Sequence, residues 1–164
     1  MRKYPLLLLI LLASTTVFGQ TPFKKNDLYI EFVGNGIGSS ISYERQLTNK
    51  PGLGLRLGVG YFSGDEKFRV SIPIGINYLF TLTSNKSFLD AGIGTTWSNA
   101  AGMKTLKQEA VSGRDYSEHI WSIVPSIGYR RHIKGNFMWR ASFTPIINKY
   151  RFLPFPGLSI GKRF

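Results

Sequence analysis

Residues 68–80, FRVSIPIGINYLF, alternate without a break. Phe68, Val70, Ile72, Ile74, Ile76, Tyr78 and Phe80 share one face, and Arg69, Ser71, Pro73, Gly75, Asn77 and Leu79 share the other. A period of two is that of a β-strand with one apolar face. Seven further runs carry strand patterning, at 27–33, 37–47, 53–62, 87–98, 118–132, 137–147 and 153–164. Turn chemistry separates them. Asn35-Gly36 in 34–36 suits a tight hairpin, and Pro51-Gly52 closes 48–52. The connections 63–67, 81–86, 133–136 and 148–152 are short, whereas 99–117 is long and polar. No motif recurs every 20–50 residues, which excludes a solenoid or propeller. Pro73, Pro125 and Pro145 fall inside strands, where each deletes a ladder donor, so local bulges are expected there.

The two faces decide what the apolar side chains touch. A soluble barrel is apolar inside and carries many Lys and Glu outside. Here the less apolar face is mostly small: Gly54, Arg56, Gly58 and Gly60; Asp90, Gly92, Gly94, Thr96 and Ser98; Gly38, Ser40, Ser42 and Glu44. Small residues fit the cramped interior of a narrow barrel. The other face is large: Leu53, Leu55, Leu57, Val59 and Tyr61; Trp121, Ile123, Ile127 and Tyr129; Phe137, Trp139, Phe143 and Ile147. This is inside-out for a soluble protein and right for a strand whose apolar face meets lipid. Aromatic residues gather near both strand ends. Tyr43, Tyr78, Phe80, Tyr129, Phe137, Trp139 and Phe164 lie at one, and Tyr61, Phe68, Trp97, Trp121, Phe152 and Phe155 at the other. That placement matches the two interfacial girdles of a membrane barrel.

The N-terminus supports export. Arg2 and Lys3 precede the apolar run 6–12, and Val17 and Gly19 suit a cleavage site before Gln20. The run is too short to span a bilayer, which takes about 20 apolar residues. The expected division is a signal peptide at 1–19 and a barrel domain at 20–164. There is no cysteine, so no disulfide and no thiolate metal site.

A signal peptide, eight amphipathic strands, short turns at one end and a terminal Phe164 together resemble the small eight-stranded outer-membrane β-barrels of the OmpA/OmpX type in Gram-negative bacteria. The resemblance covers the whole mature chain and implies an all-β, antiparallel up-and-down transmembrane barrel. It implies location in the cell outer membrane, with lipids including lipopolysaccharide as neighbours. Phe164, with Leu158 and Ile160 on its face, resembles the signal read by barrel-assembly machinery. With a periplasmic N-terminus, 34–36, 63–67, 99–117 and 148–152 are extracellular and 48–52, 81–86 and 133–136 periplasmic. The long connection then falls on the outside, as expected of such barrels.

The formal charge is +12, or +10 once Arg2 and Lys3 leave with the signal peptide. An exported chain has little access to nucleic acid, so no nucleic-acid partner is expected. By this topology the periplasmic rim and tail, with Arg130 and Arg131 counted there, hold +8, the extracellular end +1 and the mid-barrel +1. The rim excess suits either anionic lipid headgroups or solubility in transit. Isolated charges in a narrow lumen are costly. Glu31, Glu44 and Asp90 are therefore expected to bridge to Arg56, Arg69 and Arg140 and to fill the lumen.

Catalytic chemistry has little support. His119 and His132 sit at opposite strand ends, so no shared metal site is expected. Ser117, Glu118 and His119 are adjacent, whereas a hydrolase triad needs convergence. The segment 34–38, GNGIG, lacks the lysine and helix of a phosphate loop. No cofactor is expected. The preferred reading is a structural or surface-interaction barrel, not an open porin, that works through the 99–117 loop with Arg114 and Tyr116 as contacts. The alternatives are a membrane-embedded lipid-modifying enzyme using His119 and a secreted lipocalin-like ligand-binding barrel.

Overall fold

The computed structural model describes residues 23–64, 67–83, 86–99, 120–148 and 152–164. The 1–19 leader, most of the 99–117 connection with Arg114 and Tyr116, and His119 lie outside the described residues.

Ten strand segments follow one another: β1 (Asn26–Phe32), β2 (Ser39–Gln46), β3 (Leu53–Gly64), β4 (Lys67–Thr83), β5 (Ser87–Ser98), β6 (Ile120–His132), β7 (Phe137–Phe143), β8 (Ile146–Ile147), β9 (Phe152–Leu153) and β10 (Pro156–Arg163). Every pairing is antiparallel. β7 and β8 are two parts of one stave, interrupted at Thr144-Pro145, and β9 and β10 are parts of another, interrupted at Pro154-Phe155. Eight staves result, each beside its neighbour in sequence. The β5–β6 and β1–β10 pairings close them into an up-and-down barrel with no free edge. At the seam, Asn26 and Phe164 exchange backbone hydrogen bonds of 3.2 and 2.9 Å.

Alternation sorts the side chains as the period of two requires. Along β4, Arg69, Ser71, Pro73, Asn77 and Leu79 are buried in the lumen, while Val70, Ile74, Ile76, Tyr78 and Phe80 are exposed on the exterior. Leu53, Leu55, Leu57, Val59 and Tyr61 of β3 are also exposed. An exterior this apolar is stable only against lipid or another apolar partner. No helix among the described residues is long and apolar enough to cross a membrane. On the terminal side, Tyr78–Phe80 and Tyr129–Trp139 form ring pairs with centroids 4.6 and 5.4 Å apart. Phe155 is not part of the opposite girdle: with Phe62 and Leu153 it packs inward against Ile37, Val124 and Ile146.

The prolines behave differently from the bulges expected. β3 and β4 pair from Leu53↔Tyr78 to Leu57↔Ile74, part across Pro73, and resume at Gly60↔Ser71 with the same offset. β6 parts from β7 after Ile127↔Phe143, at Pro125 and Pro145, and resumes on β8 at Ile123↔Ile147, again in register. A bulge inserts a residue and shifts the offset. These sites only forgo ladder bonds. At Pro145 the neighbouring Thr144 holds the wall, its N–H donating to Phe155 O at 2.7 Å.

The first connection is also not a tight hairpin. A two-residue type I′ turn needs positive φ at both central residues. Here Val33, Gly34 and Ile37 have positive φ, at 58°, 94° and 70°, and Asn35 and Gly36 do not. Ile37 N–H donates to Gly34 O at 3.0 Å. The segment 34–37 is buried, because the loop folds back into the barrel mouth.

Candidate functional site: a charge network in the lumen

Inward positions on six staves converge at mid-barrel. Asp27 and Glu31 come from β1, Glu44 from β2, Arg56 from β3, Asp90 from β5, Arg130 from β6 and Arg140 from β7. All are buried. Each strand delivers one or two long polar side chains, and the glycines and serines at neighbouring inward positions make room for them.

Arg130 is the centre. Its Nη1 donates to Glu44 Oε1 at 2.7 Å and to Asp27 Oδ2 at 3.1 Å. Its Nη2 donates to Glu44 Oε2 at 2.6 Å and to Asp90 Oδ2 at 2.7 Å. Arg56 bridges the same two acids, with Nε 3.2 Å from Glu44 and Nη2 2.9 Å from Asp90. Arg140 extends the chain of pairs from Asp90 at 3.4 Å to Glu31 at 2.6 Å, and its guanidinium lies 5.1 Å from the Tyr29 ring centre. Asn77 donates to both Glu44 and Asp90 at 3.2 Å. Two planar guanidinium forks thus satisfy the lone pairs of the shared carboxylates, which is what makes a buried ion cluster tolerable.

The six residues expected in the network have different fates. Glu31, Glu44, Arg56, Asp90 and Arg140 are brought together. Arg69 is buried and points inward, but none of the ion pairs among the described residues includes it. Arg130, assigned to the rim for its nearness to a strand end, belongs inside, and Asp27 joins it there. The signal was present: Arg130 shares parity with Ser122, Val124, Ser126 and Gly128, all inward. Among the described residues the buried lumen charges are four arginines and four carboxylates, equal in number.

The network is capped on both sides. Towards the opposite mouth, Asn35 N–H donates to Glu31 Oε2 at 3.1 Å. Thr96 Oγ1 and Ser71 Oγ donate to the carbonyls of Asn35 and Gly36 at 2.8 and 2.7 Å. Towards the terminal rim, the His132 ring makes tilted contacts with Phe88 and Phe23, with centroids 4.5 and 6.3 Å away. A cavity beside Arg56, lined by Asn35, Ser42, Pro73, Thr96 and Ser126 among others, holds about 10 Å³. That is about the space of one water molecule. Among the described residues no group of three or more His, Cys, Asp or Glu side chains is placed to hold a metal ion.

No family model matches the sequence, and no curated protein matches it. Solved structures do. The N-terminal β-barrel domain of Pseudomonas aeruginosa OprF superposes with a TM-score of 0.59 at 13% identity, covering 85% of this chain and 96% of that one. The Yersinia pestis outer membrane protein Ail, determined in a phospholipid bilayer nanodisc, gives 0.55 at 13% identity, covering 87% and 100%. Closed, lined with paired charges and faced with apolar side chains, this chain has the fold of the small eight-stranded outer-membrane β-barrels.

Proposed function

We propose that this protein is an integral outer-membrane barrel with a structural or surface-interaction role, its lumen filled by side chains instead of open as in a porin. The observation that carries the reading is Arg130, held by three carboxylates on three other staves in the middle of the lumen. A solvated pore does not need its charges cross-linked and capped by an inward-folded loop. The outward apolar surface is the reverse of a soluble lipocalin's, and two solved barrels with this fold include one named as an outer membrane protein. The terminal rim faces the periplasm. The 99–117 connection, with Arg114 and Tyr116, is then the outward working surface, beside lipopolysaccharide. Phe164 serves as the mark read by assembly machinery.

Planar-bilayer recording tests the lumen. The purified barrel is expected to give no stable open channel; large, persistent unitary currents would overturn the filled-lumen reading. Protease added to whole cells is expected to cut within 99–117. Retention in membranes through carbonate washing, with heat-dependent gel migration, tests the location.

A further inference from the structure

The basic excess of this chain is not spread over its surface. All four carboxylates of the described residues, Asp27, Glu31, Glu44 and Asp90, are sequestered in the lumen and matched by four buried arginines. Among the residues whose side chains are described, the charge left on the exterior is cationic and lies at the terminal end. Arg45 is next to last in β2, Lys50 lies in the β2–β3 turn, Lys86 in β4–β5, Arg131 is next to last in β6, Lys134 lies in β6–β7, and Lys162 is next to last in β10. All six are exposed, and together they run round the terminal rim with no exposed side-chain carboxylate among the described residues to neutralise them.

Three of the six face outward, towards lipid, because they have the parity of the apolar wall: Arg45 with Tyr43, Arg131 with Tyr129, and Lys162 with Ile160. Each sits beside an interfacial aromatic. Arg131 is registered opposite Trp139, and Lys162 Nζ lies 5.8 Å from the Phe137 ring centre. Tyr43, next but one to Arg45, donates its hydroxyl to Asn26 at 2.7 Å, which fixes its ring at the rim. Aromatic rings seat at headgroup depth, so these cations are held at the depth of the phosphates. Arginine forks there can take a phosphodiester bidentately.

We propose that the terminal rim is a collar that binds anionic phospholipid headgroups selectively over zwitterionic ones. The proposal rests on the barrel being seated in a bilayer. Electrostatic attraction to an anionic leaflet supports it, at a strength that falls off within a Debye length, so only rim-level cations contribute.

The full barrel is reconstituted into nanodiscs of mixed phosphatidylglycerol and phosphatidylcholine, and the phospholipids retained by the protein are counted by native mass spectrometry. Phosphatidylglycerol is expected to be retained well above its bulk share, less so at high salt. Neutralising the turns (Lys50→Gln, Lys86→Gln, Lys134→Gln) or the wall (Arg45→Gln, Arg131→Gln) is expected to lower the ratio, each cation contributing up to about fivefold. Lys→Arg at the turn positions is expected to keep it. Heat-dependent gel migration shows that each variant is folded. A folded, inserted barrel with no enrichment, or with enrichment indifferent to these substitutions, overturns the collar. Failure to enter nanodiscs at all instead overturns the membrane-barrel reading. Lysine-dependent binding to an anionic cell-wall polymer in place of phospholipid enrichment also overturns it.

Discussion

Arg130 and Glu44 are 86 residues apart in sequence and meet as a two-pronged pair, Nη1 to Oε1 at 2.7 Å and Nη2 to Oε2 at 2.6 Å. The pair ties β6 to β2 across the lumen, between staves that are not neighbours in the wall. It resists ovalisation of the barrel in a way that ladder bonds, which join only adjacent staves, do not.

Removing one partner leaves buried charge behind. Arg130→Met strips compensation from Glu44, Asp90 and Asp27 at once. The expected loss is about 3–5 kcal/mol, the cost of breaking a buried pair. Arg45→Met, on the rim, is expected to lie within about 0.5 kcal/mol of wild type. Reversible urea unfolding in lipid vesicles compares them. Equal midpoints would show that the network contributes nothing to stability.

The same pair should be energetically coupled. In a cycle of Glu44→Gln, Arg130→Met and the double variant, the double loss is expected to fall short of the sum by up to about 3 kcal/mol. Additive losses would mean that Arg56 and Asn77 already satisfy Glu44 without Arg130.

Depth in the bilayer sets the cost of charge on the wall. Leu57 lies near the middle of β3 on the outward face, and Leu47 just beyond the end of β2. Leu57→Arg is expected to cost about 2–4 kcal/mol and Leu47→Arg about 0–1 kcal/mol. The unfolding titration in vesicles reads both, and a reversed order would refute the placement of the apolar band.

Gly34 combines a φ of 94° with contact with the network: a Cβ there would lie 3.0 Å from the Glu31 carboxyl carbon. Gly34→Val is therefore both strained and crowded, at an expected cost of about 1–3 kcal/mol. Hydrogen exchange is expected to speed up at the amides of Val33, Asn35 and Ile37. Unchanged protection would show that the loop does not depend on this fit.

Phe164 tests a cellular step separately from folding. Phe164→Ala is expected to lower the amount of barrel assembled in cells while leaving refolding into detergent nearly intact. Equal assembly in cells would remove its role as an assembly mark.

Much of this molecule was legible as a one-dimensional pattern. Strand parity alone places Leu53, Leu55, Leu57 and Val59 outside and Arg56 inside, and that sorting holds along β4 from Arg69 to Phe80. Arg130 was misassigned because nearness to a strand end was weighed above parity. A long side chain two residues from the end of β6 still reaches mid-lumen. Asn35-Gly36 misled because dipeptide preference describes an isolated turn. In the barrel, Glu31 and the hydroxyls of Ser71 and Thr96 capture the loop's N–H and carbonyls and draw it inward. The prolines misled because a ladder can open and resume in register when both neighbouring staves are held elsewhere.

By itself the sequence determined the strand count, which face meets lipid, and where the basic excess must lie, because a period of two is a local property of the backbone. Only the tertiary structure decided which charges meet. Ion pairing in the lumen depends on the closure and relative register of non-adjacent staves, and these bring Arg130 to Glu44, Asp90 and Asp27, while none of the ion pairs among the described residues includes Arg69.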